Sequence, residues 1–497
     1  MNRRNFLRIT GATLVAQIIQ DCTQSDQNPH EQRVLVVGAG VAGLAAAKTL
    51  VQNGYDVSVI EARDRIGGRV WTHSKWGDAP MDLGASWIHG IQGNPLADIA
   101  STLKARTVMT RYDRDITYKT TGEVLNDEEE LRIEKLQKKI LRVLRKAQNY
   151  DPDQSVQKAV ETGLRWANLS SEERKLVGFI LNNLLEQEYG GSTAELSAQW
   201  FDAADEFGGG DVLFVDGYGA IAEYLARDLP ITLGQQVRSV QINSGKVTVS
   251  TDKATYSGDR VIITLPLGVL KTGQITFSPA LPENMRQAIS ALGMGVLNKC
   301  YLRFPRVFWP SEFDWLEYIP VQHGQWVEWV SFARPTKLPI LLGFNAADFG
   351  REVESWTNED IVAGAMETLR TIFGDRIPSP VDYQITRWAS DPFALGSYSF
   401  NQLGSTPMMR DYLAQNIESR IFLLARPPIA STSVQFTVPI YPGYERLRKS
   451  STWHDRDRPT RNCPYPSLAQ TRPDRRPWRV CKCLISGMPD QCSDRQC

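Results

Sequence analysis

The chain has no excess of either charge: 56 Lys and Arg balance 56 Asp and Glu, for a formal net charge of zero. With no basic stripe, a nucleic-acid partner is not expected. A membrane-spanning run is also missing from its N-terminal end. Ile9 to Ile19 is short and interrupted by Gly11, Thr13 and Gln17, so no transmembrane span is expected there. Cysteine is scarce in the body of the chain, where only Cys22 and Cys300 occur. The other five, Cys463, Cys481, Cys483, Cys492 and Cys497, crowd into a tail rich in Arg and Pro. Their spacings match no zinc pattern, and no metal is expected. What remains is ordinary for a globular enzyme, with 42% hydrophobic and 23% charged residues. At 497 residues the chain exceeds what one hydrophobic core usually serves, so two domains are expected.

The most informative stretch runs from Arg33 to Arg69. Val34 to Val37 has the length and apolarity of a buried parallel strand. It meets Gly38-Ala39-Gly40-Val41-Ala42-Gly43, and a helical pattern follows from Leu44 to Val51. Gly38 allows a tight turn, Gly40 lets backbone approach a pyrophosphate, and Gly43 lets helix and strand pack closely. The helix N-terminus then offers unpaired N–H groups and a positive dipole end to phosphate. Gly54 closes the helix, and Asp56 to Ile60 reads as a second strand delivering Glu61. Glu61 lies 18 positions after Gly43, near the roughly 20 expected of a carboxylate that bonds a ribose hydroxyl. Glycines, strands, helix and acid in this order define a dinucleotide site.

The continuation distinguishes the dinucleotide. Glu61-Ala-Arg63-Asp-Arg-Ile-Gly67-Gly68-Arg69, followed by Asp82-Leu-Gly84-Ala85-Ser86-Trp87-Ile-His89-Gly90, resembles the flavin-containing amine oxidases, a family that includes polyamine oxidases, monoamine oxidases and lysine-specific histone demethylases. The resemblance implies FAD as cofactor. It implies cofactor-binding roles for Gly38, Gly40, Ala42, Gly43, Glu61, Arg63, Gly68 and Arg69, with Arg69 near the pyrophosphate. Gly84, Ala85, Ser86 and Trp87 would run beside the flavin, and the backbone of Val237 would bond the adenine. It also implies an α/β fold: a Rossmann-like FAD-binding domain of glutathione-reductase type with a discontinuous α+β substrate domain.

The rest of the chain follows that plan. Residues 1–30 read as a leader, in which Asn2-Arg3-Arg4-Asn5-Phe6-Leu7-Arg8 resembles a bacterial twin-arginine signal. This makes the twin-arginine export machinery a partner and the periplasm the expected location. Cys22 is a weak candidate for lipid attachment, because Ile-Gln-Asp before it lacks small residues. Residues 31–90, 210–275 and 400–422 are assigned to the FAD domain, and 91–209 and 276–399 to the substrate domain. From Leu96 to about Gly210 the pattern is mainly helical, including a charged helix over Asn126 to Tyr150 with Ile133, Leu136, Ile140 and Leu144 on one face. Ser170-Ser-Glu-Glu reads as a helix start. Val237 to Ile242 and Lys246 to Thr251 read as strands joined by Asn243-Ser-Gly245.

The resemblance further implies that Lys299 orients a water at flavin N5 and that Trp388 and Tyr398 wall the substrate. By residue type alone, Lys299 reads as a strand-end surface residue and the two aromatics as core filling. His89 stands where similar polyamine oxidases have an active-site histidine, suited to a substrate nitrogen because its unperturbed pKa is near 6.5. The turn His89-Gly-Ile-Gln-Gly-Asn-Pro95 favours polyamines, which need acidic partners. Glu186, Glu188, Asp205 and Glu206 are unranked candidates for that role, read otherwise as surface charges. The expected reaction is FAD-dependent amine oxidation with a small-molecule amine and O₂ as partners. The alternatives are an L-amino-acid oxidase, which needs a buried arginine for the substrate carboxylate, and an inactive product of a damaged gene.

Damage is suggested by the C-terminal part. The resembled family ends in a segment like FAGEAT…VHGAYLSG, whereas this chain continues Phe422-Leu-Leu-Ala-Arg-Pro-Pro428. Restoring one T after Phe422 and regrouping permitted codons turns Leu423 to Pro428 into Phe-Ala-Gly-Glu-Ala-Thr. The same shift turns Ser433 to Gly443 into Phe-Ser-Thr-Val-His-Gly-Ala-Tyr-Leu-Ser-Gly. Residues 423–497 are therefore expected to be an out-of-frame, disordered tail.

Overall fold

The computed structural model describes residues 32–203 and 207–424. The expected leader, Cys22, the tail cysteines and the candidates Asp205 and Glu206 lie outside the described residues. The strand Arg33–Val37 is central to a six-stranded sheet. Parallel to it on one side lie Asp56–Ile60 and then Ile231–Thr232; on the other lie Arg260–Ile263 and Ile421–Leu423. A short antiparallel strand, Asn416–Ile417, forms the far edge. The central strand itself buries Val34, Leu35, Val36 and Val37, apolar on both faces as a covered parallel sheet requires. The helix Val41–Gln52 packs on it through Leu44, Ala45, Ala46, Ala47 and Leu50. This is the Rossmann-like arrangement that the glycine pattern predicts.

The close packing rests on Gly43. A Cβ there would lie 1.9 Å from the Gly38 carbonyl oxygen. Beside the parallel sheet, Val237–Asn243 and Lys246–Thr251 pair antiparallel within a four-stranded sheet, as the sequence pattern predicts. The final parallel strand runs through Leu423, and Leu424 donates its N–H to Ile263 O. The folded chain thus extends two residues past the expected boundary at 422. Both residues are apolar and buried, so they fit a core strand.

A second six-stranded sheet builds the floor of the site. Its order is Asp382–Ile385, Leu297–Arg303, Ile340–Ala346, Glu328–Ser331, Trp315–Tyr318, Asp115–Tyr118. All pairs are antiparallel except the last, which is parallel. The stretch from Leu96 to Gly210 is mainly helical, with two short strands within it, Thr107–Thr110 and Asp115–Tyr118. The helices of that stretch do form. Asp127–Ala147 starts with a capping box of Asn126 and Glu129, and Ser171–Leu181 with one of Ser170 and Glu173. Asp127–Ala147 buries Ile133, Ile140 and Leu144 and leaves its charges outward.

A three-stranded sheet joins Trp87–Ile88, Asp211–Phe214 and Thr107–Thr110. Its register pairs Trp87 with Leu213 and Ile88 with Val212. Continued by one residue, the same register sets His89 opposite Asp211.

Candidate active site

Two cavities meet at Arg69 and Tyr398, which line both. The larger, about 450 Å³, is lined by Gly38, Gly40, Ala42, Glu61, Arg63, Gly68, Arg69 and Val237 among others. The narrower one brings together Gly84, Ser86, Trp87, His89, Lys299 and Trp388. Two of the expected residues line neither: Gly43 packs beneath the first turn, and Ala85 is fully buried in the core.

The larger cavity fits a dinucleotide. Gly38 has φ +105°, a conformation that favours glycine, and the space where a Cβ of Gly40 would sit is open to 4 Å. Glu61 is buried at the end of its strand, where its carboxylate accepts from Ala39 N at 2.6 Å and Arg63 N at 2.9 Å. Arg63 is held by both oxygens of Asp391, at 2.9 and 2.6 Å. The Arg69 guanidinium donates to Ser397 O at 2.6 Å. Burial, then the neighbouring Arg63, pushes its pKa down to about 10. A half-buried cation beside a glycine turn and a helix N-terminus suits an anionic diphosphate.

The narrower cavity is aromatic. Trp87, Trp315, Phe344, Trp388 and Tyr398 line it. Trp388 donates to Leu83 O at 3.2 Å and Tyr398 to Gln187 O at 2.5 Å, so both rings are fixed by their polar ends. Trp87 stacks on Trp315 with centroids 5.9 Å apart. The sequence reading missed Trp315 and Phe344. Each alternates with neighbours on its strand so as to face Lys299's side of the sheet, a signal legible only once the register is known.

Lys299 is buried in this cavity. Its Nζ lies 2.9 Å from Asp82 O, 2.7 Å from Gly84 O and 2.6 Å from Ser86 Oγ. The two carbonyls only accept, so the amine must present at least two N–H groups. The Ser86 contact works whether Lys299 is charged or neutral. A water oriented by this Nζ would have to take the place of one of these contacts. Burial pushes the Lys299 pKa down to about 7, opposed by the carboxylate of Asp82. Burial likewise pushes Asp82 up to about 6, opposed by the Thr72 hydroxyl, by Lys299 and by Tyr218 N–H.

These shifts carry a stability prediction. The unfolded chain keeps the Lys299 proton up to about pH 10.5, whereas the native protein releases it near 7. The contribution is therefore complete above the unfolded value and is lost as pH falls through the folded one. The thermal midpoint of the wild type, relative to Lys299→Met, is expected to rise from about pH 7 to about pH 9. A difference that stays flat or falls over that range would contradict the assignment.

His89 also lines this cavity. Its Nδ1 is 3.0 Å from Asp211 Oδ2, and the buried Nε2 has no hydrogen-bond partner among the described residues. Asp211 also accepts from Gly90 N at 2.8 Å and Tyr112 Oη at 2.8 Å. Although burial raises the Asp211 pKa, the His89 charge and these donors hold it below the usual carboxylate value.

The acidic candidates sort differently from expectation. Glu186 and Glu188 are buried rather than surface charges. Glu186 is committed internally, to His323 at 2.7 Å, Asn182 at 2.8 Å and Thr193. Two acids not singled out by sequence, Glu317 and Glu328, are also buried. They pair directly across adjacent strands, and Glu328 pairs in turn with Phe344, which pairs with Lys299. Directly paired side chains share a face. Lys299, Phe344, Glu328 and Glu317 therefore form one row across the sheet.

A dinucleotide cleft that meets an aromatic cavity holding a buried lysine and a carboxylate-held histidine fits a flavin-dependent oxidoreductase. The model of the flavin containing amine oxidoreductase family matches residues 41–424, and the chain belongs to that family. Its cofactor is FAD. Lysine-specific histone demethylase 1 homolog 1 of Oryza sativa subsp. japonica is 36% identical over 414 residues, covering 78% of this chain and 48% of its own. Polyamine oxidase 2 of Arabidopsis thaliana is 31% identical over 408 residues, covering 78% and 82%. The chain thus spans about half the length of the demethylase relatives and most of the polyamine oxidase. A solved putrescine oxidase bound to putrescine shares the fold, with a TM-score of 0.67, 19% identity, and coverage of 84% of this chain and 98% of that one.

Proposed function

We propose that this protein oxidises di- or polyamines. The observation that carries the reading is the row running from Lys299 through Phe344 to Glu328 and Glu317. Two strand spacings separate Lys299 from Glu328, roughly 9.5 Å. An amine presented to the flavin beside Lys299 would extend along the aromatic wall and set a second ammonium near Glu328. Bound FAD supplies the hydride acceptor, and O₂ then takes the electrons to give H₂O₂. The chain's own residues hold the α-carbon between Trp388 and Tyr398, keep the 82–86 segment in place through Lys299, and aim His89 Nε2 at the reacting nitrogen. An imidazole in that place accepts the proton that an ammonium must lose before oxidation. Water then hydrolyses the released imine to an aldehyde.

Rates of H₂O₂ release along a series of diamines test this reading. The reading expects them to peak at the length that spans Lys299 and Glu328, with spermidine well above leucine and above a methylated-lysine peptide. A preference for leucine would favour an amino-acid oxidase instead. Against that reading, Arg69, the arginine on the narrow cavity, donates to Ser397 O where the two cavities meet. Asp211→Asn is expected to lower kcat/KM for spermidine roughly tenfold or more at unchanged FAD content, because it removes the charge that orients His89. Unaltered kinetics would remove His89 from the chemistry.

Two further readings stay proposals. A lost base near Phe422 rests on the two motifs that a single shift restores between residues 423 and 443. Sequencing the locus from independent DNA tests it; an intact reading of the tail would refute it. Export by the twin-arginine route rests on Arg3-Arg4 and the run after it, and Cys22 would be the site of lipid attachment. Retention in the cytoplasm of cells with a working twin-arginine system would refute export.

A further inference from the structure

Glu317 and Glu328 are buried to 5% and 1% exposure and face each other across paired strands. Asn183, on a π-helical turn over Asn182–Glu186, sets one amide nitrogen 3.3 Å from Glu317 Oε1 and 3.3 Å from Glu328 Oε2. Thr117 donates to the other oxygen of Glu317 at 3.1 Å. Glu328 Oε1 is buried with no hydrogen-bond partner among the described residues. Two carboxylates this close, away from water and with one amide between them, do not both ionise without a cation.

We propose that Glu328 and Glu317 hold one proton between them in the free enzyme, and that the distal ammonium of a bound di- or polyamine takes that proton's place. The proposal rests on the polyamine reading above. The exchange balances: a neutral carboxyl and an ammonium become a carboxylate–ammonium pair, and one proton leaves to solvent. The orphan Glu328 Oε1 is the acceptor the ammonium would use.

The surroundings agree. Burial, then the charge of Glu317, raises the Glu328 pKa well above the carboxylate range. The other titratable groups facing the pair add no positive charge. Glu188 is buried nearby, and both it and Glu328 help push Tyr398 and Tyr112 upward, after burial. Asp211 and His89 lie beyond Tyr112. Phe344 separates the pair from Lys299, which is tied to Asp82, Gly84 and Ser86. Asn183 and Thr117, which bond the pair, are neutral, and an incoming ammonium would supply a cation.

The test compares octamethylenediamine with octylamine by calorimetry on the FAD holoenzyme reduced with dithionite, which binds amine without oxidising it. Titrations in two buffers of unlike ionisation enthalpy count protons, and the reactive end of the two ligands is the same, so its contribution cancels. The diamine is expected to release about one proton more than the monoamine, and its affinity relative to octylamine to rise about tenfold per pH unit around neutrality. Glu328→Gln is expected to abolish both differences. A diamine that binds more tightly than octylamine with equal proton release would overturn the shared proton while leaving the polyamine reading intact. Equal affinity for the two amines would overturn that reading, and the proposal with it.

Discussion

Replacing Lys299 by methionine is expected to slow anaerobic bleaching of the flavin by spermidine by about 10²–10³-fold, the usual loss when one preorganised donor at a reacting centre is removed. The side chain is isosteric enough to fill the space, but it cannot donate. Asp82 O, Gly84 O and Ser86 Oγ would each lose their contact with Nζ. A buried acceptor left unsatisfied costs about 1–3 kcal/mol, so the 82–86 segment has reason to shift. That segment cannot shift far: a Cβ on Gly84 would already lie 1.8 Å from Arg69 O. Its movement therefore reaches the boundary between the two cavities. FAD content after desalting separates the effect on rate from loss of cofactor. A variant that retains FAD and bleaches at the wild-type rate would show that Lys299 is only structural.

Glu61→Ala is expected to weaken FAD retention on the order of 10²-fold or more, since two charge-assisted hydrogen bonds to backbone depend on it. The carboxylate fixes the glycine turn at Ala39 and the start of the next loop at Arg63, both on the wall of the larger cavity. Glu61→Gln keeps one acceptor oxygen but turns an NH₂ toward a backbone donor, so it should fall between alanine and the wild type. The ratio of flavin to protein after desalting, with a fluorescence titration of FAD into apoprotein, reads both. Full retention in the alanine variant would show that the site tolerates the loss of this acid.

The cofactor side of the fold was legible because its signals are local. Gly38, Gly40 and Gly43 act within one turn, and Glu61 follows at the end of the next strand, so a single stretch specifies strand, helix and acid together. The substrate side was legible only in part. Thr107–Thr110 and Asp115–Tyr118 are four-residue strands of mixed polarity, too short to outweigh the helical periodicity around them. Asp211 reaches His89 through a pairing between strands 122 residues apart, which no local pattern encodes.

Glu317 and Glu328 sit in WLEY and EWVS, where an isolated acid reads as surface charge. In hindsight the alternation was a signal. Glu317 shares a face with Trp315, and Glu328 with Val330, so each acid occupies a position that an apolar residue would otherwise fill. Buried acids at such places need a proton, a donor or a cation. Glu188 followed the same logic in reverse, since a residue on a helix among charges reads as exposed until the helix is seen to be covered.

The most direct measurement is the visible spectrum of the desalted, FAD-loaded protein under anaerobic conditions, before and after addition of spermidine or leucine. The account predicts a flavin band that bleaches with spermidine and is unchanged by leucine. A flavin band that leucine bleaches and spermidine leaves untouched would contradict it.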